Sequence, residues 1–387
     1  MEKRIVIPRI VVRPILPPPL EIGARIRPQW LHWQVGRYRE KLSFGPGGEG
    51  KAKLWVPERE GEQHNLILTQ FYDLLIPQYG FIGPSQYAAV GTGSTAPDPS
   101  QTQLANEIGT SSSPRRTNSV PSGESNEIEA LADYGEYNIR RVFEFTEAQV
   151  GGLNLTEWGF SPVSSYNGPL MTRELFRDGL GNPIVLTLAT DQRLRLIYRY
   201  KITVSPASPQ NVSVNIGGDG PGIRTAKFLL TGMFSTYGTS SSWSTANYFG
   251  IPLSSVGSAY RQRRGDLIVA DALARGAYIG GVGVVGFSSN AVPLTYIHTA
   301  QSFTTNSPNK SLWYDPPSGR SRQASLVLQT TEQVITIKSV ILNGNLDNSS
   351  FTYTCPTGNL VFDDGQEFAK DNLHKLLIAY WQATWGP

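Results

Sequence analysis

Apolar and polar positions alternate most clearly between Arg193 and Val204. Apolar or aromatic residues occupy every second position from Leu194 to Val204, and the positions between them are arginine, lysine or threonine except at Ile197. A period of two over this length is that of a β-strand with one buried and one solvated face. The pattern therefore predicts a strand of an antiparallel sheet.

Shorter apolar or alternating runs lie before and after this strand. Those before it predict its sheet neighbours, at residues 142–146, 153–160, 171–176 and 184–188. Those after it resume strand patterning at residues 326–342, 351–355 and 373–385. Antiparallel strands with one apolar side bury that side by packing two sheets face to face. We predict a mainly β protein made of antiparallel β-sandwich domains, with a few short helices and an extended N-terminal arm.

Three short helices are predicted. The first runs from Leu66 to Leu75, with Asn65 as its cap and Pro77 at its end. The second starts at Asp98-Pro99 and continues to about Glu107, because aspartate caps helices and proline suits the first helical position. The third spans residues 270–277.

The composition agrees with a β-rich chain of 387 residues. Charged residues make up 17%, below the roughly 25% of average soluble domains. The 39 Gly and 27 Pro favour turns over helices. A single cysteine, Cys355, rules out a disulfide within the chain and fits a reducing cytoplasm. The N-terminus lacks the uninterrupted apolar run of a secretory signal, and no stretch of about 18 apolar residues predicts a membrane span.

Residues 1–60 form a basic segment, with twelve Lys or Arg against six Asp or Glu. Five prolines within the first twenty residues exclude a helix and favour extended backbone. The segment is either an arm that lies on a neighbouring subunit or a mobile tail, and its many Ile and Val favour the docked arm. Further on, aromatic residues flank Gly45-Pro-Gly-Gly48 and predict a hairpin whose aromatics cover one sheet face: Trp30, Trp33, Tyr38, Phe44 and Trp55. Base stacking on these aromatics is the less favoured interpretation.

The rest of the chain divides at about residue 205. Residues 61–205 are predicted to form a β-sandwich domain with a long surface loop at about 109–129. Residues 206–387 are predicted to form a second β-rich domain. In the alternative, residues 206–321 are an insertion and the final strands return to the first sandwich.

Two glycine-rich motifs resemble nucleotide-binding motifs, but each lacks a feature that nucleotide binding requires. Gly281-Val-Gly-Val-Val-Gly286 matches the dinucleotide fingerprint, but the following residues cannot form a long helix and the next acid, Asp315, is too far away. A glycine-rich strand packed closely against another backbone explains it better. The loop Gly91-Thr-Gly-Ser-Thr95 lacks the lysine of a P-loop and predicts a turn.

Catalytic and metal-binding patterns are also missing. The four histidines, at positions 32, 64, 298 and 374, do not have the spacing of a zinc motif. Cys355 is predicted to be a packing residue. Asp363-Asp364-Gly365 is predicted to form a tight turn, because it lacks the regular acidic spacing of a calcium loop. The sequence leaves open a pair of glycosidase carboxylates, because such a pair comes together only in the folded chain. We expect no enzyme, and no catalytic, cofactor or metal site.

Several phrases of the chain, taken in their order and spacing, resemble a class of tailed-bacteriophage virion proteins found among tail-fibre, baseplate and collar components. The phrases are residues 65–75 (NLILTQFYDLL), 89–97 (AVGTGSTAP), 143–147 (FEFTE), 153–160 (LNLTEWGF) and the closing 379–386 (AYWQATWG). None of them contains a nucleophile, a general base or a ligand set. The resemblance implies assembly or attachment.

On this basis we expect a structural virion protein, made in the bacterial host cytoplasm and located in the tail as a fibre or adaptor component. Its partners would be other tail, neck or baseplate proteins, reached through the N-terminal arm, and copies of itself, as a homotrimer in the first instance and a hexamer in the second.

A receptor protein that binds a host-surface glycan is the alternative, with Trp243, Tyr248, Trp313 and Tyr314 as candidate stacking residues. Nucleic-acid binding is disfavoured, since the arginines of the arm are spaced singly between prolines.

Overall fold

The protein is described from a computed structural model. Its described residues are 20–45, 48–131, 135–218, 221–230, 233–234, 247–248, 251–252, 262–263, 265–276, 285–288, 310–328, 330, 335–348, 351–373 and 376–387. The predicted arm residues 1–19, most of the glycine fingerprint and Trp243 lie outside them.

Thirteen strands precede residue 206. They are β1 (Leu20–Gly45), β2 (Gly48–Gln63), β3 (Leu66–Ile67), β4 (Tyr87–Gly91), β5 (Gly109–Thr110), β6 (Ser113–Pro114), β7 (Glu127–Ala130), β8 (Glu136–Phe145), β9 (Asn154–Leu155), β10 (Glu157–Ser161), β11 (Thr172–Leu175), β12 (Leu186–Thr187) and β13 (Arg193–Ser205). Helical segments of this part are a π-helical turn at Phe71–Leu75, α1 (Ile76–Tyr79), a 3-10 turn at Gly83–Ser85 and α2 (Glu147–Val150).

The described residues after 206 contribute fourteen strands and one helix. The strands are β14 (Gln210–Gly218), β15 (Gly222–Leu230), β16 (Met233–Phe234), β17 (Asn247–Tyr248), β18 (Ile251–Pro252), β19 (Gln262–Arg263), β20 (Val285–Ser288), β21 (Lys310–Tyr314), β22 (Ser321–Leu328), β23 (Ile335–Ile337), β24 (Ser339–Asn348), β25 (Phe351–Phe362), β26 (Phe368–Lys370) and β27 (Leu376–Gly386). The helix is α3 (Gly265–Arg275). The prediction of a mainly β protein with mostly antiparallel sheets and few short helices is confirmed.

The largest sheet has the order β20-β24-β25-β15-β14-β27-β1-β13-β8-β7, with β2 beside β1 and β21-β22 beside β27. The alternation that predicted β13 is confirmed, because Leu194, Tyr198 and Ile202 are fully buried. Of the predicted neighbours only the first, which lies in β8, pairs with β13. The other flank of β13 is taken by β1.

β1 corrects the interpretation of residues 1–60 as an arm. From Leu20 onward this segment belongs to the sheet of its own chain, parallel to β27 over Leu20–Arg25 and antiparallel to β13 from Gly23 to Gly36. A register shift between Pro28 and Trp30 moves the buried positions from even to odd numbers. Ile22 and Ile26 before the shift, and Leu31 after it, are fully buried. Their apolar character therefore reflects an intramolecular core.

A second sheet, of order β3-β11-β10-β4, packs on the buried face of the large one. Aromatic rings form the contact between the two layers. Phe160 of β10 stacks on Tyr198 of β13 with ring centroids 4.5 Å apart, and on Phe143 of β8 at 5.1 Å. Together with Trp158 these rings are fully buried. The two layers form the sandwich that buries the apolar sides of the strands.

The chain does not divide into separate sandwiches at residue 205. One cluster of buried apolar residues includes side chains from both sides of that point, and β27 returns to pair with β1, β14 and β22. The final strands return to the first sheet, and β14, β15 and β21 from residues 206–321 belong to that same sheet. The reason is that β1 exposes two strand edges, and β13 occupies only one of them.

Helix α3 lies in this shared core. It has buried residues around its whole circumference, which is characteristic of an interior helix. Its Asp271 accepts hydrogen bonds from the Phe81 amide and from Arg275 Nε, both at 2.7 Å. Gly80, at φ 76°, lies so close that an added Cβ would be 1.9 Å from Asp271 Oδ1. The predicted helix at 270–277 is thus confirmed in position, although it begins at Gly265.

The first two predicted helices need correction. Residues 66–67 form a strand, and the helical turns start only at Phe71. Asn65 does not cap them, since its side chain donates to Thr172 Oγ1 and Tyr198 Oη. Residues 98–107 form an irregular loop, in which Asp98 accepts from the amide and hydroxyl of Ser100 as a turn. Both residues have a side chain that can cap a helix, but long-range hydrogen bonds engage Asn65 and a local turn engages Asp98.

Candidate functional site

The β1–β2 hairpin extends past the end of β13. The last β1 residue paired with β13 is Gly36, whereas pairing with β2 continues to Gly45, opposite Gly48. The predicted hairpin across Gly45–Gly48 is therefore confirmed. We call residues 37–45 and 48–56 the ribbon. Nine residues of strand span about 30 Å, and within the described chain the ribbon has no strand partner except its own two halves.

The base of the ribbon is anchored to the sheet by Glu58. This carboxylate accepts from Gln192 Nε2 at 2.6 Å, from Arg39 Nη2 at 2.9 Å and from Arg37 Nη2 at 3.1 Å. The hydrogen bond from Gln192, followed by those from Arg39 and Arg37, lowers the pKa of Glu58 to about 2. Glu58 is therefore ionised at neutral pH and positions both arginines.

Aromatic rings and guanidinium groups form a layer on the polar face beside this base. Arg195 of β13 lies 4.0 Å from the Trp55 ring centroid and 5.5 Å from that of Tyr38. The same guanidinium donates to Glu144 at 2.7 Å. The predicted covering of one face by the hairpin aromatics is thus only partly observed, because Trp33 points into the core and packs edge-on to Phe176. Cation–π stacking holds the start of the ribbon in place.

Beyond Tyr38 the described ion pairs of the ribbon stay within the hairpin. Lys51 pairs with Glu40 at 3.0 Å, and both side chains are largely exposed. Leu54 is 45% exposed. Residues 39–55 contain four basic and two acidic residues, so the ribbon is basic. A two-stranded hairpin is only marginally stable in water by itself, and its open edges can pair with another chain.

The glycine loop of residues 91–97 is held by a buried carboxylate. Glu157 accepts from the amides of Gly93, Ala105 and Asn106 at 2.7–3.0 Å, and pairs with Arg173 at 2.8 Å. An added Cβ at Gly93 would lie 2.4 Å from Glu157 Oε1. The glycines therefore let the loop backbone approach the Glu157 carboxylate closely. This carboxylate accepts the Gly93 N–H that a bound phosphate would need.

A second buried pair sits beside this loop. Arg116 forms a two-pronged contact with Glu107 at 2.8 Å, and it also reaches the carbonyls of Val163 and Gly168. The segment predicted as a loose loop at 109–129 is consequently anchored at Arg116, and the short β5–β6 hairpin lies within it. Arg116 and Glu107 are buried and bond to several segments of the chain, so they hold the loop in place. Their positions in the sequence did not predict this role.

A pocket of about 360 Å³ opens next to this pair. Its wall consists of Thr92, Asn106, Glu107, Ile108, Gly109, Thr110, Ser113, Arg115 and Leu153. Its volume lies within the range of small-molecule sites. The negative charge of Glu107 is balanced by Arg116, so the pocket offers hydroxyl, amide and backbone groups and the Arg115 side chain for hydrogen bonding.

The residues considered for chemistry are dispersed. His32 Nε2 lies 3.2 Å from Glu60, and His64 Nδ1 lies 2.8 Å from the Gln29 carbonyl. Asp363 forms the predicted tight turn, with its carbonyl accepting from the Gln366 amide at 2.9 Å. No group of three or more metal-ligating side chains is found among the described residues.

Other candidates lie on strands. Cys355 is a residue of β25, Tyr248 of β17, and Trp313 and Tyr314 of β21. Of the glycine fingerprint, Val285 and Gly286 begin β20, which pairs with β24. In the part of the chain that the structure covers, no helix is long and apolar enough to span a membrane.

Comparison with protein-family models, with curated proteins and with solved structures found no match for this chain.

Proposed function

We propose that this chain is a structural protein of a tailed-bacteriophage virion, a fibre or adaptor component that acts by holding neighbouring subunits together. The ribbon is the observation that carries the proposal. It is a preformed pair of strands with an anchored base, a basic surface and, in the described residues, no further strand partner. Such an element binds by adding its edge to another sheet.

The resemblance supports the same function from a different direction. The phrases at residues 65–75, 89–97 and 153–160 come together in one place, since β4 and β11 flank β10 and β3 pairs with β11. These segments form the small sheet and the loop that Glu157 holds, and both are fixed by buried hydrogen bonds. This suits a protein whose task is mechanical.

We propose a second copy of the chain as the occupant of the ribbon edge. The ribbon has five basic and two acidic residues, whereas residues 61–387 have three more acidic than basic ones. Opposite charge on the two parts favours contact between the ribbon of one copy and the body of the next. Repeated head-to-tail contact closes into a ring, with three-fold symmetry as the first expectation.

A shortened ribbon tests this. Arg39 and Leu54 are register partners, so residues 40–53 can be replaced by Asn-Gly, which forms a two-residue hairpin turn. The contacts of Glu58 and Tyr38 at the base are kept. We expect the wild type to sediment as an oligomer and the shortened protein as a folded monomer. A wild-type monomer would refute assembly through copies, and an oligomeric shortened protein would refute the role of the ribbon.

The place in the particle is tested separately. Density for this chain in the tail, baseplate or collar of an intact particle is the expected result, and its absence from particles would contradict the virion assignment.

Glycan binding is a second candidate function, favoured by the pocket beside Glu107. Its hydroxyl and amide lining suits a sugar, and a glycan array would detect saturable binding. Ser113→Trp should abolish that binding by filling the pocket, whereas Ser112→Trp, outside the lining, should not. No binding by the wild type would leave assembly as the function.

A further inference from the structure

Four arginines in the described chain are at most 8% exposed. Three of them have a carboxylate partner: Arg116 with Glu107 at 2.8 Å, Arg173 with Glu157 at 2.8 Å, and Arg195 with Glu144 at 2.7 Å. The fourth, Arg141, is 2% exposed and forms no ion pair with any residue that the structure describes. The exception is informative, because buried charges in proteins are normally paired.

Arg141 points from β8 into the core between the two sheets. Its Nε donates to the Ser85 carbonyl at 3.0 Å and its Nη2 contacts the Gln86 carbonyl at 3.5 Å. The guanidinium carbon lies 5.6 Å from the centroid of the Phe143 ring. Nη1 is buried and has no hydrogen-bond partner among the described residues. Within that part of the chain, Arg141 therefore contacts neutral groups.

The positive charge remains at neutral pH. Burial lowers the pKa of Arg141 to about 10, which still leaves the guanidinium protonated. Tyr200 does not supply a compensating negative charge, because burial raises the pKa of its phenol. A buried cation without a counter-charge is strongly unfavourable, and a buried N–H without an acceptor adds to the penalty.

We infer that Arg141 Nη1 binds a small inorganic monoanion of the halide class. The Arg141 guanidinium lacks a negative counter-charge, and its Nη1 lacks a hydrogen-bond acceptor among the described residues. A single monovalent anion supplies both. The neighbouring side chains of Phe143, Tyr198 and Tyr200 are fully buried, so the site is enclosed and favours a small ion over a bulky phosphate or organic carboxylate. Arg141 already joins β8 to the 3-10 turn at Gly83–Ser85 through the Ser85 carbonyl, and the ion would balance the charge at this contact.

Bromide shows the ion directly. Crystals of the full chain grown in sodium bromide should give an anomalous difference peak within hydrogen-bonding distance of Arg141 Nη1. A neutral water at that position, or no peak above background, would overturn the inference.

Thermal unfolding tests the same ion in solution. At constant ionic strength, exchange of isethionate for chloride should raise the Tm of the wild type by about 1–2 °C for each tenfold increase in chloride above its dissociation constant. Arg141→Met should remove this response. Arg195→Met is the matched control and should retain it, because Glu144 keeps Arg193 at 2.9 Å as its partner. A wild type without any chloride response, or an Arg141→Met protein that keeps it, would contradict the site. The bromide experiment uses only the wild type, so it decides the matter even if Arg141→Met does not fold.

Discussion

The buried pair of Glu157 and Arg173 permits a quantitative test of how the loop at residues 91–97 is held. Both side chains are completely buried, and the charged atoms lie 2.8 Å apart. In Glu157→Gln the positive charge of Arg173 loses its partner, and in Arg173→Met the carboxylate does. Removing one member of a buried pair leaves an uncompensated charge, which destabilises a protein by about 3–5 kcal/mol. We expect each single substitution to lower the free energy of unfolding by that amount.

The double substitution separates the pair from its surroundings. Once Glu157→Gln has been made, Arg173→Met removes a charge that is already unpaired, so its further effect should be small. The two effects should therefore fail to add by at least about 2 kcal/mol. The hydrogen bonds from Gly93, Ala105 and Asn106 to residue 157 weaken equally in Glu157→Gln and in the double variant. They therefore cancel when the non-additive part of the two effects is calculated.

Urea unfolding measures these free energies from the midpoint and the slope of the transition. Glu40→Gln is the control, because it breaks an exposed pair with Lys51 and should cost about 0–1 kcal/mol. Single substitutions that cost less than about 1 kcal/mol, or effects that add, would refute the assignment of the pair as the support of the loop.

Three further predictions concern other positions. Burial raises the pKa of Asp266 to about 6 from 3.8, so the folded state binds its proton more tightly and stability should fall by about 2 kcal/mol as the pH rises from 4 to 6. Asp266→Asn should remove that part of the pH dependence, and parallel urea midpoints of the two proteins across this range would show the reasoning to be mistaken. Gly80→Ala should destabilise the protein by about 3 kcal/mol, since the new Cβ meets Asp271 in a backbone conformation that favours glycine; an unchanged midpoint would disprove the tight approach. Glu58→Gln should loosen the ribbon base and speed tryptic cleavage after Lys51 and Lys53 severalfold at pH 7.5, because the carboxylate that holds Arg37 and Arg39 is lost; equal cleavage rates would argue that Glu58 does not anchor the ribbon.

β13 and the hairpin turn show what could be predicted from local pattern. The alternation from Leu194 to Val204 requires one buried face whatever the neighbours are, and the glycines at positions 45 and 48 flank a turn between two extended runs. Asn65 and Asp98 show where local pattern failed. Each has the side chain of a helix cap, but Asn65 bonds to Thr172 and Tyr198, more than one hundred residues away in sequence.

The candidate sites were less accessible to prediction than the fold. Glu157, Arg173 and Arg116 are ordinary charged residues in the sequence, and their importance arises because folding removes them from water beside one another. Arg141 is one of two consecutive arginines, and the alternation of Tyr137, Ile139 and Phe143 along β8 places it on the buried face, while Arg140 pairs with Glu124. The alternation does not report which groups meet Arg141 there, because that depends on strands that are distant in sequence.

By itself, the sequence determined the strand content, the buried face of β13, the hairpin and the presence of a helix near residue 270, since periodicity and turn residues act over a few neighbouring positions. Long-range packing places β1 at the centre of the large sheet, brings β27 back beside it and joins both halves of the chain in one core. The physical reason is that strand pairing joins backbone groups without regard to side-chain identity, so many partners are locally acceptable for β1. The choice is made by burial of the whole apolar surface at once.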